Sequence, residues 1–214
     1  KRFDARKFDE LRPIEAKVGV VETASGSAMF KIGKTIALAV VQGPRGLYPQ
    51  AFQNPISGVL RCNYNMMAFS GSGDRVRPGP NRRSKEISLV IEKSLLPVVD
   101  LSDYAGSVID VYVELIQTDA GTRCAGICAA AMALADAGIP MKDLISAVSV
   151  GRVGGKIVLD LSKEEEDYEG HATDIPVAIA KRTGQITLLQ MDGELSKEEL
   201  KKALELAKKG CEKI

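Results

Sequence analysis

The amino-acid sequence predicts an α/β (α+β) fold, with one domain over residues 1–214 as the favoured arrangement and two small domains as the limit. Short runs of β-branched and aliphatic residues recur along the chain and indicate strands. Three longer segments have the composition and boundaries of helices. No repeat, linker or low-complexity segment divides the chain. Strands mixed with a few helices are typical of a single layered core.

The first half of the chain predicts five strands and one helix. Glycines such as Gly26 and Gly33 separate the early strands as turns. The helix has apolar residues at helical spacing on one face. The predicted strands are Val18–Glu22, Ser27–Ile32, Thr35–Gln42, Val59–Tyr64 and Ser107–Gln117, with a loop over Pro44–Pro55 and the helix from Arg82 to Leu96.

The second half predicts a helix of small residues, a hairpin, two strands and a closing amphipathic helix. The hairpin turns at Gly154-Gly155, and the closing helix directs leucines and alanines inward and lysines outward. These elements are the helix Thr122–Ala137, the hairpin strands Leu144–Val153 and Lys156–Leu161, the strands Val177–Ala180 and Ile186–Gln190, and the helix Ser196–Lys213.

Composition limits the possible functions. The net charge is only +1, so binding to phosphate or nucleic acid has to come from local clusters of charge. The four cysteines lack zinc spacing, and one histidine, His171, does not complete a Cys/His site. Cys124 and Cys128 are one helical turn apart among alanines, and we expect them to be small buried packing residues in a reducing cytoplasm, with a redox pair as the alternative. No signal peptide is visible, and no run approaches the ~18 apolar residues of a membrane span. The chain opens at Lys1 without methionine, so a native N-terminal piece can be missing.

Gly33-Lys34-Thr35 is similar to the end of a phosphate-binding P-loop, but the remainder of that motif is missing. The motif requires a glycine five positions before Gly33, where this chain has Ala28, and a helix afterwards. Thr35 instead begins a strand pattern. The segment is therefore predicted to be a hairpin turn.

The segment Asp119-Ala120-Gly121-Thr122-Arg123 comes directly before the helix of small residues. A helix N-terminus exposes unpaired N–H groups and a partial positive charge, which favour an anion. Gly121 allows close approach, Thr122 offers a hydroxyl, and Arg123 offers a two-pronged cationic donor. The segment by itself leaves two interpretations open: a phosphate site, or a threonine cap beside a solvated arginine.

A basic segment precedes the first helix. It comprises Arg75, Arg77, Arg82, Arg83 and Lys85. Cations at a helix N-terminus oppose the helix dipole, so helix stability does not explain Arg82 and Arg83. A nucleic-acid backbone phosphate would explain them, and a solvated basic loop is the alternative.

An acidic segment, residues 163–176, ends in Asp174-Ile175-Pro176 directly before an apolar strand. Most of its acids suit a solvated face. Asp174 differs, because the strand that follows can fix it, and two acids at opposite ends of the loop could hold Mg²⁺ or donate a proton.

Together these segments resemble the RNase PH family of phosphate-dependent 3′→5′ exoribonucleases, with the greatest likeness to catalytic subunits of the archaeal exosome. The matching segments are RFDARKFDELRPI (2–14), GPR (43–45), NRRS (81–84), the stretch from Thr118 to Pro140, LDL (159–161), DIPV (174–177) and LLQMDG (188–193). The likeness runs through nearly the whole chain in order. It implies the RNase PH fold, a mixed sheet with flanking helices like the second domain of ribosomal protein S5.

The resemblance also implies roles for individual residues. Gly121, Thr122 and Arg123 match the segment that holds inorganic phosphate, the co-substrate. Asp167 and Asp174 match two catalytic aspartates near Mg²⁺ or Mn²⁺. The loop between these aspartates is one residue longer than usual in the family, so Glu166 is the alternative to Asp167.

The implied partners are RNA and other protein chains. Arg82 and Arg83 match an arginine pair that grips RNA near its single-stranded 3′ end. The implied assembly is a hexameric ring, a trimer of heterodimers with a homologous non-catalytic subunit, on which RNA-binding cap proteins dock. Products would be nucleoside diphosphates, and the reverse tailing reaction is implied too. The rival interpretations are a homohexameric RNase PH that trims tRNA, and a non-catalytic RNA-binding ring subunit.

Overall fold

The computed structural model describes residues 2–73, 76–77, 79–168 and 172–214. Within these residues the chain forms nine strands and four helices, joined by turns and two short 3₁₀ segments. In chain order they are β1 Ile14–Val18, β2 Gly26–Ile32, β3 Thr35–Gly46, β4 Val59–Met66, α1 Arg82–Leu95, β5 Ser107–Gln117, α2 Thr122–Asp136, β6 Ile145–Val153, β7 Lys156–Leu159, α3 Lys163–Glu166, β8 Thr173–Ala180, β9 Ile186–Leu189 and α4 Lys197–Lys213.

The strands form two sheets. The first is mixed, with order β1-β2-β3-β5-β4, and only the β4–β5 pair is parallel. The second sheet has order β7-β6-β8-β9 and is antiparallel throughout. The predicted mixed sheet with flanking helices is confirmed, and the second sheet accompanies it.

Helix α2 lies between the two sheets, and this position explains its composition. It packs on β2, β3 and β5 of the first sheet and on β6 and β8 of the second. Eleven of its 15 residues are buried, so it has no solvated face to carry polar side chains. Alanines, one glycine and two cysteines allow both sheets to approach closely. Its N-terminus therefore opens where the two sheets meet.

The remaining long helices cover outer faces of this core. Helix α1 packs mainly on β4, and α4 packs on the second sheet opposite α2. Both are amphipathic, and both begin with a side-chain cap, Asn81 for α1 and Ser196 for α4. Their predicted positions are confirmed to within one or two residues.

The first predicted strand is wrong in position. We expected Val18–Glu22, whereas β1 spans Ile14–Val18 and pairs with β2 from Ile14↔Ile32 to Val18↔Ala28. Gly19 adopts a left-handed backbone with φ of 65° and takes the chain out of the sheet. All five β1 residues are exposed, because β1 is an edge strand. The apolar residues after Gly19 belong to a turn.

Two further strand boundaries differ from the sequence-based expectation by four residues each. Strand β3 continues to Gly46, into the predicted loop, since Arg45 and Gly46 pair with β5. Strand β8 begins at Thr173 instead of Val177, so Asp174 lies inside the strand. Pro176 and the polar residues before it weaken the strand pattern, but β6 pairs with all of them. The acidic loop also contains the short helix α3.

Other expectations are confirmed. Residues 33 and 34 form the turn of the β2–β3 hairpin, with Ile32 paired to Thr35. All four cysteines are buried free thiols. In the described part of the chain, no helix is long and apolar enough to cross a membrane. Arg75 and His171 lie outside the described residues.

Candidate active site

A cavity of about 290 Å³ opens at the N-terminus of α2. Its walls come from several parts of the chain, which are distant in sequence. They include Gly121–Cys124 of α2, Ser149 of β6, Asp174 of β8, Lys163 and Glu166 of α3, and Arg83 of α1. The cavity therefore brings together the predicted phosphate-binding segment, one predicted catalytic acid and one of the two predicted RNA-binding arginines.

The first turn of α2 lacks the cap that the other helices have. Asn81, Ser162 and Ser196 begin capping boxes at α1, α3 and α4. Gly121 begins α2 with φ of 64°, and among the described residues no side chain caps it. The first turn contains no acid. Its free N–H groups and the positive end of the helix dipole therefore face the cavity, which is an arrangement suited to an anion.

Arg123 extends this anion site. Its Nη2 donates to both carboxylate oxygens of Glu86 in α1, at 3.1 and 3.4 Å. Its Nε is buried and has no hydrogen-bond partner within the described residues. A buried donor without a partner is costly, so the site has an unused donor that a bound anion could accept from.

Glu86 anchors Arg123 and is itself anchored. Gln190 Nε2 donates to Glu86 Oε1 at 3.1 Å. Burial alone would raise the pKa of Glu86, but the hydrogen bonds from Gln190 and Arg123 lower that pKa below its usual value. Glu86 therefore stays ionised and holds the arginine. The sequence analysis missed Glu86, although its position one turn after Arg83 was a usable signal.

Asp174 is fixed near the start of β8. Its backbone pairs with Gly151 on one side and with Asp192 on the other. Its Oδ1 accepts a hydrogen bond from Ser149 Oγ. Burial raises the pKa of Asp174, while Ser149 and Arg123 oppose that shift. Ser149 carried no distinguishing signal in the sequence, since it is one serine within a strand.

The acid that faces Asp174 is Glu166, not the predicted Asp167. Glu166 lines the cavity, and burial together with the Asp174 carboxylate raises the pKa of Glu166 to about 7. Asp167 is 61% exposed and accepts from Lys163 Nζ at 2.6 Å. It does not appear among the cavity-lining residues. Our placement of Asp167 inside the site therefore differs from the structure.

Helix geometry explains this difference. Arg2 donates to both carboxylate oxygens of Glu165, at 2.7 and 2.6 Å, and buries that side chain. Successive residues of a helix are rotated by about 100°. With Glu165 held against Arg2, the next residue is directed toward Asp174 and the one after it toward solvent. A buried salt bridge thus decides which acid enters the cavity.

The two predicted RNA-binding arginines differ in their position relative to the cavity. Arg82 and Arg83 are both exposed at the start of α1, but only Arg83 lines the cavity. Asn81 caps the helix, and its side chain accepts from Ser84 N at 2.8 Å. The cap fixes α1, and thereby the direction in which both arginines leave it.

The carboxylates fit the expected metal. Asp174, together with Glu166 when that group is ionised, provides the hard oxygen ligands that Mg²⁺ and Mn²⁺ prefer, and Mg²⁺ commonly takes one or two carboxylates plus substrate oxygens and water. Asp167 is turned away from this pair. Within the described ranges, no three histidine, cysteine or acidic side chains form a metal-binding group. Any ion held here would therefore depend on the substrate for further ligands.

Comparison with protein families decides the classification. The sequence model of one protein family, described as 3′ exoribonuclease family, domain 1, matches residues 10–140. The model for domain 2 of the same family matches residues 143–210. The chain belongs to the RNase PH family of 3′ exoribonucleases. The RNase PH fold is thereby confirmed. The first matched region contains the first sheet and α2, and the second matched region contains the second sheet, which also packs on α2.

Individual relatives agree with this RNase PH classification. The chain is 52% identical to the exosome complex component Rrp41 of Pyrococcus furiosus over 214 residues, all of this chain and 84% of the relative. It is 50% identical to the protein of that name from Methanopyrus kandleri, over 98% of this chain and 87% of the relative. A solved structure described as the Archaeoglobus fulgidus exosome with RNA bound to the active site superposes with a TM-score of 0.83 at 26% identity, covering all of this chain and 91% of that one. The structure of rice Rrp46 superposes with a TM-score of 0.86 at 24% identity, over 99% and 95%, and supports the fold.

Proposed function

We propose that this RNase PH family member is the catalytic subunit of an archaeal-type exosome and that it degrades RNA from the 3′ end by phosphorolysis. The observation that carries the proposal is the uncapped N-terminus of α2, with Arg123 beside it, facing Asp174 and Glu166 across one cavity. An anion site opposite two carboxyl groups suits a reaction in which phosphate attacks and a leaving oxygen takes a proton. The relatives named as exosome components support the assembly.

Phosphate binding is the first step. The N–H groups of the first α2 turn and the guanidinium of Arg123 hold inorganic phosphate, and Thr122 adds a hydroxyl. Glu86 keeps Arg123 directed toward the cavity. A phosphate oxygen then attacks the phosphorus of the last phosphodiester. The bond from that phosphorus to the 3′ oxygen of the preceding nucleotide breaks, and a nucleoside diphosphate leaves.

The departing 3′ oxygen requires a proton. Glu166 is the donor we favour, since its pKa of about 7 leaves much of it protonated at neutral pH. Asp167, exposed to solvent beside Lys163, is the alternative donor. Asp174, held by Ser149, would hold Mg²⁺ or Mn²⁺ with Glu166 nearby. When bound, such an ion neutralises negative charge that builds up on the phosphoryl oxygens.

The RNA partner is a single-stranded 3′ end. Arg83 at the rim and Arg82 next to it offer cations to the RNA backbone just outside the cavity. We further propose that the chain works in a cytoplasmic hexameric ring, alternating with a homologous RNase PH-like subunit, on which RNA-binding cap proteins dock. The native mass of the purified particle, measured with and without the co-expressed homologous subunit, distinguishes a ring of this chain alone from a mixed ring.

The decisive experiment separates phosphorolysis from hydrolysis. The assembled protein is incubated with poly(A) and Mg²⁺, with and without inorganic phosphate, and the released nucleotides are separated. We expect ADP, and only when phosphate is present. Release of AMP without phosphate would overturn the proposed chemistry, and RNA binding with no nucleotide release would favour a non-catalytic ring subunit.

A further inference from the structure

A buried arginine outside the cavity, Arg12, holds the turn ahead of α2. Its side chain is 5% exposed. Nε donates to Asp160 Oδ2 at 2.9 Å and Nη2 donates to Asp160 Oδ1 at 2.7 Å, a two-pronged pair. The backbone N–H of Arg12 donates to the same carboxylate at 2.8 Å. These bonds fix the guanidinium rigidly in place.

The remaining nitrogen of this guanidinium reaches the turn itself. Arg12 Nη1 donates to the backbone carbonyl of Asp119 and lies 3.5 Å from the Asp119 carboxylate. Thr35 grips the turn from the other side. Its hydroxyl accepts from Asp119 N at 2.9 Å and donates to Ala120 O at 2.7 Å. Three backbone polar groups of the turn, the Asp119 N–H and the carbonyls of Asp119 and Ala120, are therefore held by two buried side chains.

The turn requires such bracing because its backbone is strained. Ala120 has φ of 58° and Gly121 has φ of 64°, so both adopt the left-handed conformation. Glycine accepts this conformation freely, but a residue with a Cβ does not and keeps it only when its surroundings impose it. The bonds from Arg12 and Thr35 are the imposing contacts.

The β2–β3 hairpin makes room for this arrangement. A Cβ at Gly33 would lie 2.5 Å from Arg12 Cδ, too close for any side chain. Gly33 N also donates to Pro13 O at 2.9 Å, next to Arg12. Gly33 therefore leaves the space that the Arg12 side chain occupies, and Arg12 in turn holds the turn before α2.

We propose that Arg12 is a positioning residue for phosphate binding. By bracing residues 119–121, it holds the first α2 amides and Arg123 in the arrangement that inorganic phosphate requires. The inference rests on the proposed phosphorolytic function, and it adds a role for a residue that touches neither phosphate nor RNA.

Two conservative substitutions outside the cavity test the proposed role of Arg12. Arg12→Lys keeps the charge but loses the two-pronged geometry, and Thr35→Val keeps the shape but loses the hydroxyl. In each variant, we expect the KM for phosphate, and the KM for ADP in the reverse reaction, to rise by roughly tenfold. This factor corresponds to the free-energy cost of one residue in a left-handed conformation that its surroundings no longer hold. The Kd for RNA should stay within about twofold of wild type, since Arg82 and Arg83 are untouched.

A matched control and a rescue exclude a merely structural role. Arg61→Lys alters a second arginine in a two-pronged pair, which binds Asp110 between β4 and β5 and contacts neither the turn nor the cavity. It should leave the phosphate KM unchanged, whatever its effect on the melting temperature. Ala120→Gly, added to Arg12→Lys, should restore much of the phosphate KM, because glycine needs no bracing to adopt that backbone.

The outcomes separate this inference from the proposal on which it rests. Wild-type phosphorolysis with an unchanged phosphate KM in both Arg12→Lys and Thr35→Val would overturn the inference alone. A parallel rise of phosphate KM and RNA Kd, without rescue by Ala120→Gly, would also overturn it and assign Arg12 to general stability. Absence of phosphate-dependent ADP release from the wild type would overturn the proposed function, and this inference with it. If Arg12→Lys does not fold, Thr35→Val and its combination with Ala120→Gly give the answer.

Discussion

Arg123 and Glu86 form a salt bridge of 3.1 Å between the start of α2 and the first turns of α1. The bridge joins the helix that offers the anion site to the helix that carries Arg82 and Arg83. It therefore connects the proposed phosphate site to the proposed RNA site through one carboxylate. Gln190, from the segment after β9, supports that carboxylate from the second sheet.

Glu86→Ala should raise the phosphate KM by about two- to fivefold. The pair is partly exposed, and such pairs are worth roughly 0.2–1 kcal/mol. Glu86→Gln keeps an acceptor for Arg123 and should have a smaller effect. Glu92→Ala, on the same helix, is the control and should leave the phosphate KM at the wild-type value. Steady-state kinetics with varied phosphate checks this, and equal effects at both positions would mean that Glu86 does not anchor Arg123.

Arg123→Ala should reduce the rate of phosphorolysis by on the order of 100-fold or more, the usual cost of losing one preorganised charge-stabilising donor. It should not lower the melting temperature appreciably, because the substitution also removes a buried nitrogen that has no partner within the described residues. Single-turnover assays and thermal melts measure the two effects. A large loss of stability with little loss of rate would contradict the assignment.

The acids in and near the cavity should differ in how much activity is lost when each is changed to its amide. Asp174→Asn and Glu166→Gln should abolish turnover and preserve RNA binding, because an amide has nearly the same size but can neither carry the negative charge nor release a proton. Asp167→Asn should keep most of the activity, since that side chain faces solvent beside Lys163. Turnover and RNA affinity are measured for each variant.

The reverse pattern would be equally informative. If Asp167→Asn is inactive while Glu166→Gln is active, the loop-side proton donor is Asp167 and α3 must turn on substrate binding. If all three variants stay active, the chain does not act through this centre, and the non-catalytic ring-subunit interpretation replaces ours.

Arg83→Glu should weaken RNA binding more than Arg82→Glu, because only Arg83 lines the cavity. Each lost phosphate contact should also flatten the log–log salt dependence of affinity by roughly 0.7. Lys93→Glu, in the last turn of α1, is the matched charge reversal and should change neither. Binding titrations at several salt concentrations, with gel filtration to verify assembly, test this. An unchanged slope in Arg83→Glu would contradict its contact with RNA.

The amino-acid sequence by itself determined the class of fold and most of the elements. Long strands, glycine turns and amphipathic helices are local patterns, so β5, α1 and α4 could be predicted closely. The exposed edge strand β1 could not, because an edge strand buries nothing and its residues show no preference for the core. The segment before α2 by itself left an anion site and a threonine cap both open, and only the structure shows that no side chain among the described residues caps this helix start.

Tertiary structure alone decided which side chains share the cavity. Glu166 replaces Asp167 because a buried pair between Arg2 and Glu165, 163 positions apart, sets the rotation of α3. Glu86, Ser149 and Arg12 enter the argument only through contacts between distant segments. Such contacts depend on how two sheets close around α2, and no local pattern encodes that closure. Sequence periodicity reports which face of an element is buried, whereas the partner of a buried polar group is decided by the packing of the whole chain.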